Sequence, residues 1–309
     1  MQDRPRGVTD DLLRAALAAG WGIDEPVTYR PVGAGSYHWT AGPWFVTADR
    51  ADRADLLARA LRTAAALARL PFVVAPVPAR DGAVLRPLGP DHVVAVYPLI
   101  DGVTGAFGWH EDPDPVADLL IELHAVAPPD GTPRTGLGLT GDLRAALADR
   151  DRPWTGGPYS EPARRLINEH LDRITAWVTD FERLADGLRA TDWVVTHGEP
   201  HPGNVLRTPG GELRLIDWDT VRIGPPERDL WMLTPGQLLP DPGDEKVLAR
   251  YRAATGRPVS LDGLEYYRLS WRLTDVGEYA AALRRPHDRG GDADDALGQL
   301  RSYLTTGVA

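Results

Sequence analysis

Residues 196–206 read THGEPHPGNVL, and they exclude a helix at the centre of the chain. Gly198 and Gly203 would cost a helix backbone entropy, while Pro200 and Pro202 lack the N–H donor and clash with the preceding turn. Two histidines, a carboxylate and an asparagine therefore sit on a shaped loop. The four-residue spacing of His197 and His201 would bring two rings onto one face only in a helix, so the zinc-protease reading fails with the helix. A deaminase-type His-x-Glu site would need downstream cysteines, and the chain has none.

Thirteen residues after Asn204 comes Asp217, in LRLIDWD, where an apolar strand ends in a carboxylate. Two strands joined by the TPGG turn at 208–211 can bring the amide oxygen and this carboxylate side by side. Hard Mg2+ ions carrying nucleotide phosphates take such oxygen ligands. Glu199, five residues before the asparagine, can face a substrate hydroxyl. Loop carboxylate, asparagine and strand-end aspartate in that order form the protein-kinase layout for phosphoryl transfer.

The flanking pattern fits an α+β chain. Residues 9–19 have helical periodicity with Thr9 or Asp10 at the cap. VTYRPVGAGSYHWTA and GPWFVTAD read as strands around a Gly42-Pro43 turn, and residues 52–70 read as a helix. FVVAPV (72–77) and HVVAVYPLI (92–100) read as further strands. Beyond them, helical periodicity covers 114–126, 142–149, 160–187 and 264–285, resuming from about 245 after a β-rich insert at 191–232. HDRGGDADD (287–295) reads as a surface loop.

The combination HGEPHPGNVL, LIDWD and GPPERDL resembles the aminoglycoside phosphotransferase family, whose loop usually reads His-Gly-Asp-x-His-x-x-Asn. The matching positions are His197, Gly198, His201, Asn204, Asp217 and Asp229. The resemblance implies a bilobal protein-kinase-like fold, with a small sheet-plus-helix nucleotide-binding lobe at 1–102 and a larger, mainly helical catalytic and substrate-binding lobe at 103–309. It implies Asn204 and Asp217 as Mg2+ ligands, Glu199 at the catalytic-base position, His197 as a brace of the loop and Asp229 as its anchor. ATP or GTP would be the phosphoryl donor. The glycine loop GAGSYHW offers Gly33 and Gly35 for close phosphate approach, with the amides of Ser36 and Tyr37 as donors, although a simple hairpin turn would also use these glycines. VYPLIDG resembles the hinge, with Leu99 and Ile100 on the purine edge and Tyr97 behind it.

Two departures from the family pattern stand out. Glu199 replaces an aspartate, and its extra methylene moves the carboxylate by roughly 1.5 Å. In PWFVTADR the strand that should carry a lysine has Thr47, no lysine occurs in the first lobe, and the helix at 52–70 lacks the glutamate that would hold one. Arg50, Arg53, Arg59 and Arg86 are the candidate substitutes.

On the substrate side, Glu265, Trp271, Asp275 and Glu278 share the segment LEYYRLSWRLTDVGEYAA with Tyr267 and Tyr279. Carboxylates among aromatic faces suit a cationic acceptor, and they equally describe a solvated acidic face beside core aromatics. A net charge of −10 argues against nucleic acid as the main partner. No apolar run approaches a membrane span, and MQDRPRGVTDD has no apolar run, so no signal peptide is expected there. The expected setting is the cytoplasm, the expected state a monomer or weak homodimer. The expected activity is phosphoryl transfer to a hydroxyl of a small molecule, an antibiotic first. The competing expectation is a pseudokinase-like protein that binds a nucleotide or small molecule without transfer.

Overall fold

A computed structural model describes residues 1–33, 35–106, 112–188, 192–234 and 242–306. Helix α1 (Asp10–Trp21) begins where the Thr9 hydroxyl accepts the Leu12 N–H, and it ends at Gly22 in the left-handed region. Strands β1 (Val27–Arg30), β2 (Tyr37–Ala41) and β3 (Trp44–Arg50) follow as an antiparallel meander, with β2 and β3 joined at the expected Gly42-Pro43 turn. Helix α2 (Ala54–Ala66) comes next, then β4 (Arg86–Leu88) and β5 (His92–Pro98), completing a sheet in the order β1-β2-β3-β5-β4.

β5 is buried on both faces, and strand alternation sorts its residues. Val94 and Val96 join Trp39, Val46, Leu13 and Leu17 in the core beneath α1. Val93 and Ala95 join Leu57 and Leu61 of α2, with Tyr97 packed alongside. Because Thr47 pairs with Ala95 and Asp49 with Val93, both polar residues of β3 belong to the α2 face of the sheet.

After β6 (Val103–Thr104) come α3 (Asp114–His124), α4 (Gly141–Ala148), α5 (Ser160–Glu169) and α6 (Leu171–Ala185). Strands β7 (Val194–Thr196), β8 (Val205–Arg207), β9 (Leu213–Leu215) and β10 (Arg222–Gly224) build two small sheets, β10-β7 and β6-β8-β9. Helices α7 (Glu227–Leu230), α8 (Pro242–Thr255), α9 (Leu261–Arg284) and α10 (Gly291–Thr306) end the described chain. The fold is thus mixed α+β, with an antiparallel sheet in the N-terminal region and helices dominating the C-terminal region. No helix among the described residues is long and apolar enough to cross a membrane.

By contacts the chain forms two compact units. One comprises Met1, Asp3–Thr135 and Asp192–Val259; the other comprises Gln2, Gly136–Thr191 and Ser260–Ala309. The second unit is organised around α9, whose Val276, Ala280 and Leu283 are buried.

Three expectations need correction. FVVAPV is not a strand: it makes a single bridge, Val73 to Leu215, because Pro76 and Pro78 remove the donors a ladder would need. The helix expected over 160–187 is two helices, interrupted at His170 (φ −112°, ψ 18°). No glycine or proline marks that break; beside it, Asn168 donates its amide to the Arg150 and Arg164 carbonyls and ties the last turn of α5 to a neighbouring segment. The loop expected over 287–295 stops short, since α10 starts at Gly291 with Asp292 and Asp294 in its first turn, where acidic side chains complement the helix dipole.

Within the second unit, Gly277 of α9 lets α4 approach so closely that a Cβ would lie 2.8 Å from the Leu143 nitrogen. Gly277→Ala is expected to force these helices apart and destabilise the protein by about 1–3 kcal/mol, read as a lowered thermal midpoint. An unchanged midpoint would show that the close approach is not a constraint.

Candidate active site

The loop between β7 and β8 is held from beneath by one carboxylate. Asp229, fully buried, accepts the His197 N–H at Oδ2 (2.9 Å) and the Gly198 N–H at Oδ1 (2.5 Å). Its Oδ2 also lies 2.9 Å from Nε2 of buried His124, whose Nδ1 is 2.8 Å from the Tyr251 hydroxyl. Burial would raise the Asp229 pKa, but the hydrogen bond from His124 and the charge of Arg228 outweigh it and hold the carboxyl below its usual range.

Gly198 adopts φ +103°, and a Cβ there would overlap the Arg228 guanidinium. That guanidinium donates to Thr196 Oγ1 and the Thr220 carbonyl, both at 2.8 Å, so it cannot easily give way. A glycine is required at this turn by both dihedral and space.

His197 is fully buried, with Trp218 edge-on at 4.6 Å. Burial lowers its pKa to about 4, so the ring is neutral near pH 7. Its Nδ1 accepts the Glu199 N–H (3.2 Å), which leaves Nε2–H to donate to the Ile216 carbonyl (2.9 Å). This neutral tautomer ties the loop to the end of β9, a bracing contact and not a proton-transfer geometry.

Asn204 and Asp217 are brought together by the β8–β9 ladder. Val205 pairs with Leu215, and the Ile216 N–H donates to the Asn204 carbonyl at 3.0 Å, so the two residues flank the same end of the hairpin. The Asn204 amide nitrogen donates to the Glu199 carbonyl (3.0 Å), which fixes the side chain against the loop. Asp217 is, among the described residues, the one non-glycine with positive φ (64°), a conformation that costs of order 1 kcal/mol and is held where function needs it.

The surrounding protein and the charges of Asp219, Glu199 and Asp49 push the carboxyl of Asp217 above the usual range, although the residue is exposed at the surface. Asp217 and Asp219 share a hydrogen bond, and the Asp219 pKa is also raised, by burial, against the opposing charges of Arg53, Arg222 and Arg228. Mutual repulsion of this kind is relieved by a divalent cation. The donors are all hard oxygens, and the described residues contain no ready-made cluster of three or more His, Asp or Glu ligands. That set suits Mg2+, which keeps waters and phosphate oxygens in its shell, and does not suit a structural zinc.

A match to the phosphotransferase enzyme family covers residues 36–270. The chain belongs to this family. It is 30% identical over 251 residues to protein StrN of Streptomyces griseus, covering 75% of this chain and 72% of that one. Its fold is similar to that of a spectinomycin phosphotransferase solved with ADP and spectinomycin (TM-score 0.70, 16% identity, 97% of this chain and 95% of that one). It is also similar to that of a choline kinase from Streptococcus pneumoniae (TM-score 0.57, 16% identity, 96% and 98%).

The residues expected on the nucleotide side lie in the same unit as the loop. Gly33 and Gly35 both have positive φ (68° and 83°), and a Cβ on Gly35 would meet open space. The Ser36 hydroxyl donates to Asp49 at 2.5 Å, tethering the glycine loop to β3. The Tyr37 ring meets His92 edge-on at 6.0 Å. The Tyr97 phenol is pushed well above its usual range by burial and then by the charges of Asp217, Asp49 and Asp219. The Leu99 N–H already donates to the Pro43 carbonyl (2.8 Å), tying the hinge segment to the β2–β3 turn.

Glu265, Trp271, Asp275 and Glu278 all belong to α9 in the second unit. Asp275 accepts the Tyr303 hydroxyl at 2.5 Å, and the Trp271 indole N–H donates to the same hydroxyl at 3.2 Å. Burial, with Glu278 adding to it, raises the Asp275 pKa to about 7. Glu265 lies apart from this group in its partners, paired with Arg268 at 3.5 Å. Sequence reasoning did not identify His124, Asp219, Arg228 or Tyr303; the second aspartate of IDWD was the one visible signal among them.

The His197 pKa gives a pH dependence with a definite sign. Folding depresses it from 6.5 to about 4, so between those values the unfolded chain holds the extra proton and stability falls as pH falls. The loss reaches about 3 kcal/mol. Asp49, raised to about 6 by burial and Asp219, acts in the opposite sense, so the contribution is read as a difference. The stability gap between wild type and His197→Gln is expected to shrink from pH 6.5 to 4, and a gap constant over that window would contradict it.

Proposed function

We propose that this protein is an O-phosphotransferase that moves the terminal phosphoryl group of a purine nucleotide onto a hydroxyl of a small molecule. The observation that carries the reading is the β8–β9 hairpin, which sets Asn204 and Asp217 at one end, with the charges of Asp219, Glu199 and Asp49 acting on Asp217. Asn204 and Asp217 would hold Mg2+, which when bound neutralises charge on the transferring phosphoryl group.

Glu199 would orient the acceptor hydroxyl and take its proton. Its backbone is fixed on both sides, by the His197 ring at its N–H and by Asn204 at its carbonyl. Gly33, Gly35 and the amides of Ser36 and Tyr37 would approach the phosphates. Leu99, through its carbonyl, and Ile100 would read the purine edge, with Tyr97 behind it. The lobe at 1–102 would then carry the nucleotide, and 103–309 the catalytic loop and acceptor. ATP is the donor favoured over GTP, because the similar spectinomycin enzyme was solved with ADP.

An antibiotic is the favoured acceptor, supported by the names of that enzyme and of a similar macrolide 2'-phosphotransferase from Brachybacterium faecium. Asp275, Glu278 and Trp271 would hold a cationic group of the acceptor, with Glu265 at the margin. Binding without transfer is the second reading. Its support is the α2 face of β3, which carries Thr47 and Asp49 where a kinase carries a lysine.

Incubation with γ-labelled ATP, Mg2+ and a panel of antibiotics and amino alcohols is expected to label at least one acceptor, and Asp217→Ala to abolish labelling. Nucleotide binding with no acceptor labelled would favour the second reading. Glu199→Asp is expected to lower kcat by about 10–100-fold, since the shortened arm withdraws the carboxylate by roughly 1.5 Å from a fixed backbone. An aspartate variant as fast as wild type would remove Glu199 from the proposed role.

A further inference from the structure

The sheet register exposes an inversion of charge at the strand–helix junction. On the α2 face of β3 the residue nearest the acidic cluster is Asp49, while Thr47 meets His38 at 3.3 Å. Opposite, just before α2, stands Arg53, whose charge acts on Asp49 and on Asp219. Where the family has a strand lysine and a helix glutamate, this chain has a strand acid and a cation at the start of the helix. Asp49, Arg53, Leu56, Leu57, Asp219 and Arg222 line one narrow cleft.

The other candidate arginines are engaged elsewhere. Arg50 pairs with Asp52 at 2.6 Å, Arg86 pairs with Asp81 at 2.5 Å, and the Arg59 Nε donates to the Gly131 carbonyl at 3.5 Å. Arg222 carries the opposite strain to the carboxylates. Burial and then the charge of Arg228 lower its pKa to about 10, with Arg53 and Arg59 adding to the repulsion and Asp219 opposing it. Two guanidinium groups and two carboxylates thus share one cleft, an arrangement in which the cations are held in place before a ligand arrives.

We propose that Arg53, with Arg222, holds the phosphates of the nucleotide donor in place of the absent lysine, and that Asp49 and Asp219 orient the two guanidinium groups. The proposal rests on the nucleotide-dependent reading given above. A guanidinium presents a rigid fork that meets two phosphate oxygens at once, where an ammonium offers a point charge. The same planarity demands that the fork be aimed. A carboxylate on the strand does that in the place where a lysine would have needed only reach. The Ser36–Asp49 hydrogen bond extends the arrangement to the glycine loop, so phosphate cradle and cation are positioned by one carboxyl group.

The test is calorimetric binding of adenosine and of ADP, each with Mg2+, to wild type and to Arg53→Met, Arg222→Met and Arg53→Lys. Wild type is expected to bind ADP more tightly than adenosine. Arg53→Met should lose about tenfold or more in ADP affinity, the size of one charge-assisted contact, with adenosine affinity within twofold. Arg222→Met should lose less, and Arg53→Lys should recover part of the ADP affinity while guarding against a simple folding defect. An Arg53→Met protein with the wild-type ratio of ADP to adenosine affinity overturns the assignment, as does one that loses both ligands equally. If wild type itself fails to distinguish ADP from adenosine, the nucleotide reading falls too, so the two failures are separable.

Discussion

The buried carboxylate of Asp229 is the interaction on which the central loop depends. Taking a charge out of water costs several kcal/mol unless its oxygens are met by donors, and here backbone N–H groups of two successive loop residues meet it, with His124 as the third partner. The network reaches α8 through Tyr251 and is buried along its length. Because the donors are backbone groups, Asp229 specifies a conformation and not a side-chain identity. Gly198 can then take its unusual φ, the Arg228 guanidinium can fill the space a Cβ would occupy, and Glu199 leaves the turn in one direction.

Asp217, twelve residues earlier in the chain, is the opposite case. Asp229 is satisfied and lowered in pKa; Asp217 is repelled by three other carboxylates and raised. The two also differ in setting, since Asp229 is buried while Asp217 is exposed. Its left-handed backbone adds a second cost at the same residue. Backbone strain and charge repulsion converge on this one side chain, which is the physical ground for the metal-ligand role proposed for it.

Much of this was legible in the sequence because the relevant information was local. Glycine and proline in THGEPHPGNVL excluded a helix, and the TPGG turn fixed a hairpin register that brings Asn204 and Asp217 to one end. The elements that misled did so for non-local reasons. FVVAPV has strand composition, but its prolines interrupt the ladder and leave a bridge to β9 and a single bond from Val77 to β5, and the break at His170 carries no breaker residue. Thr47 and Asp49 illustrate the limit best. Strand periodicity puts both on one face, but it cannot say that this face meets α2; the pairing with β5, whose Val93 and Ala95 pack on α2, decides it. His124 and Tyr303 lie far along the chain from their partners Asp229 and Asp275, and no spacing rule links them.

The composition of the chain bears on the same cleft. Its one lysine, Lys246 on α8, is paired with Asp114 at 2.6 Å in the surface contact between α8 and α3. Every other side-chain cation that is permanently charged is therefore an arginine. A lysine can be steered by a single helix glutamate because its charge is nearly spherical; a guanidinium must be oriented in a plane as well as placed. Two carboxylates from different elements, Asp49 on β3 two residues beyond Thr47 and Asp219 after β9, supply that extra constraint. The missing lysine, the missing helix glutamate and the unexpected Asp49 are then a single change of cation type, expressed at three positions.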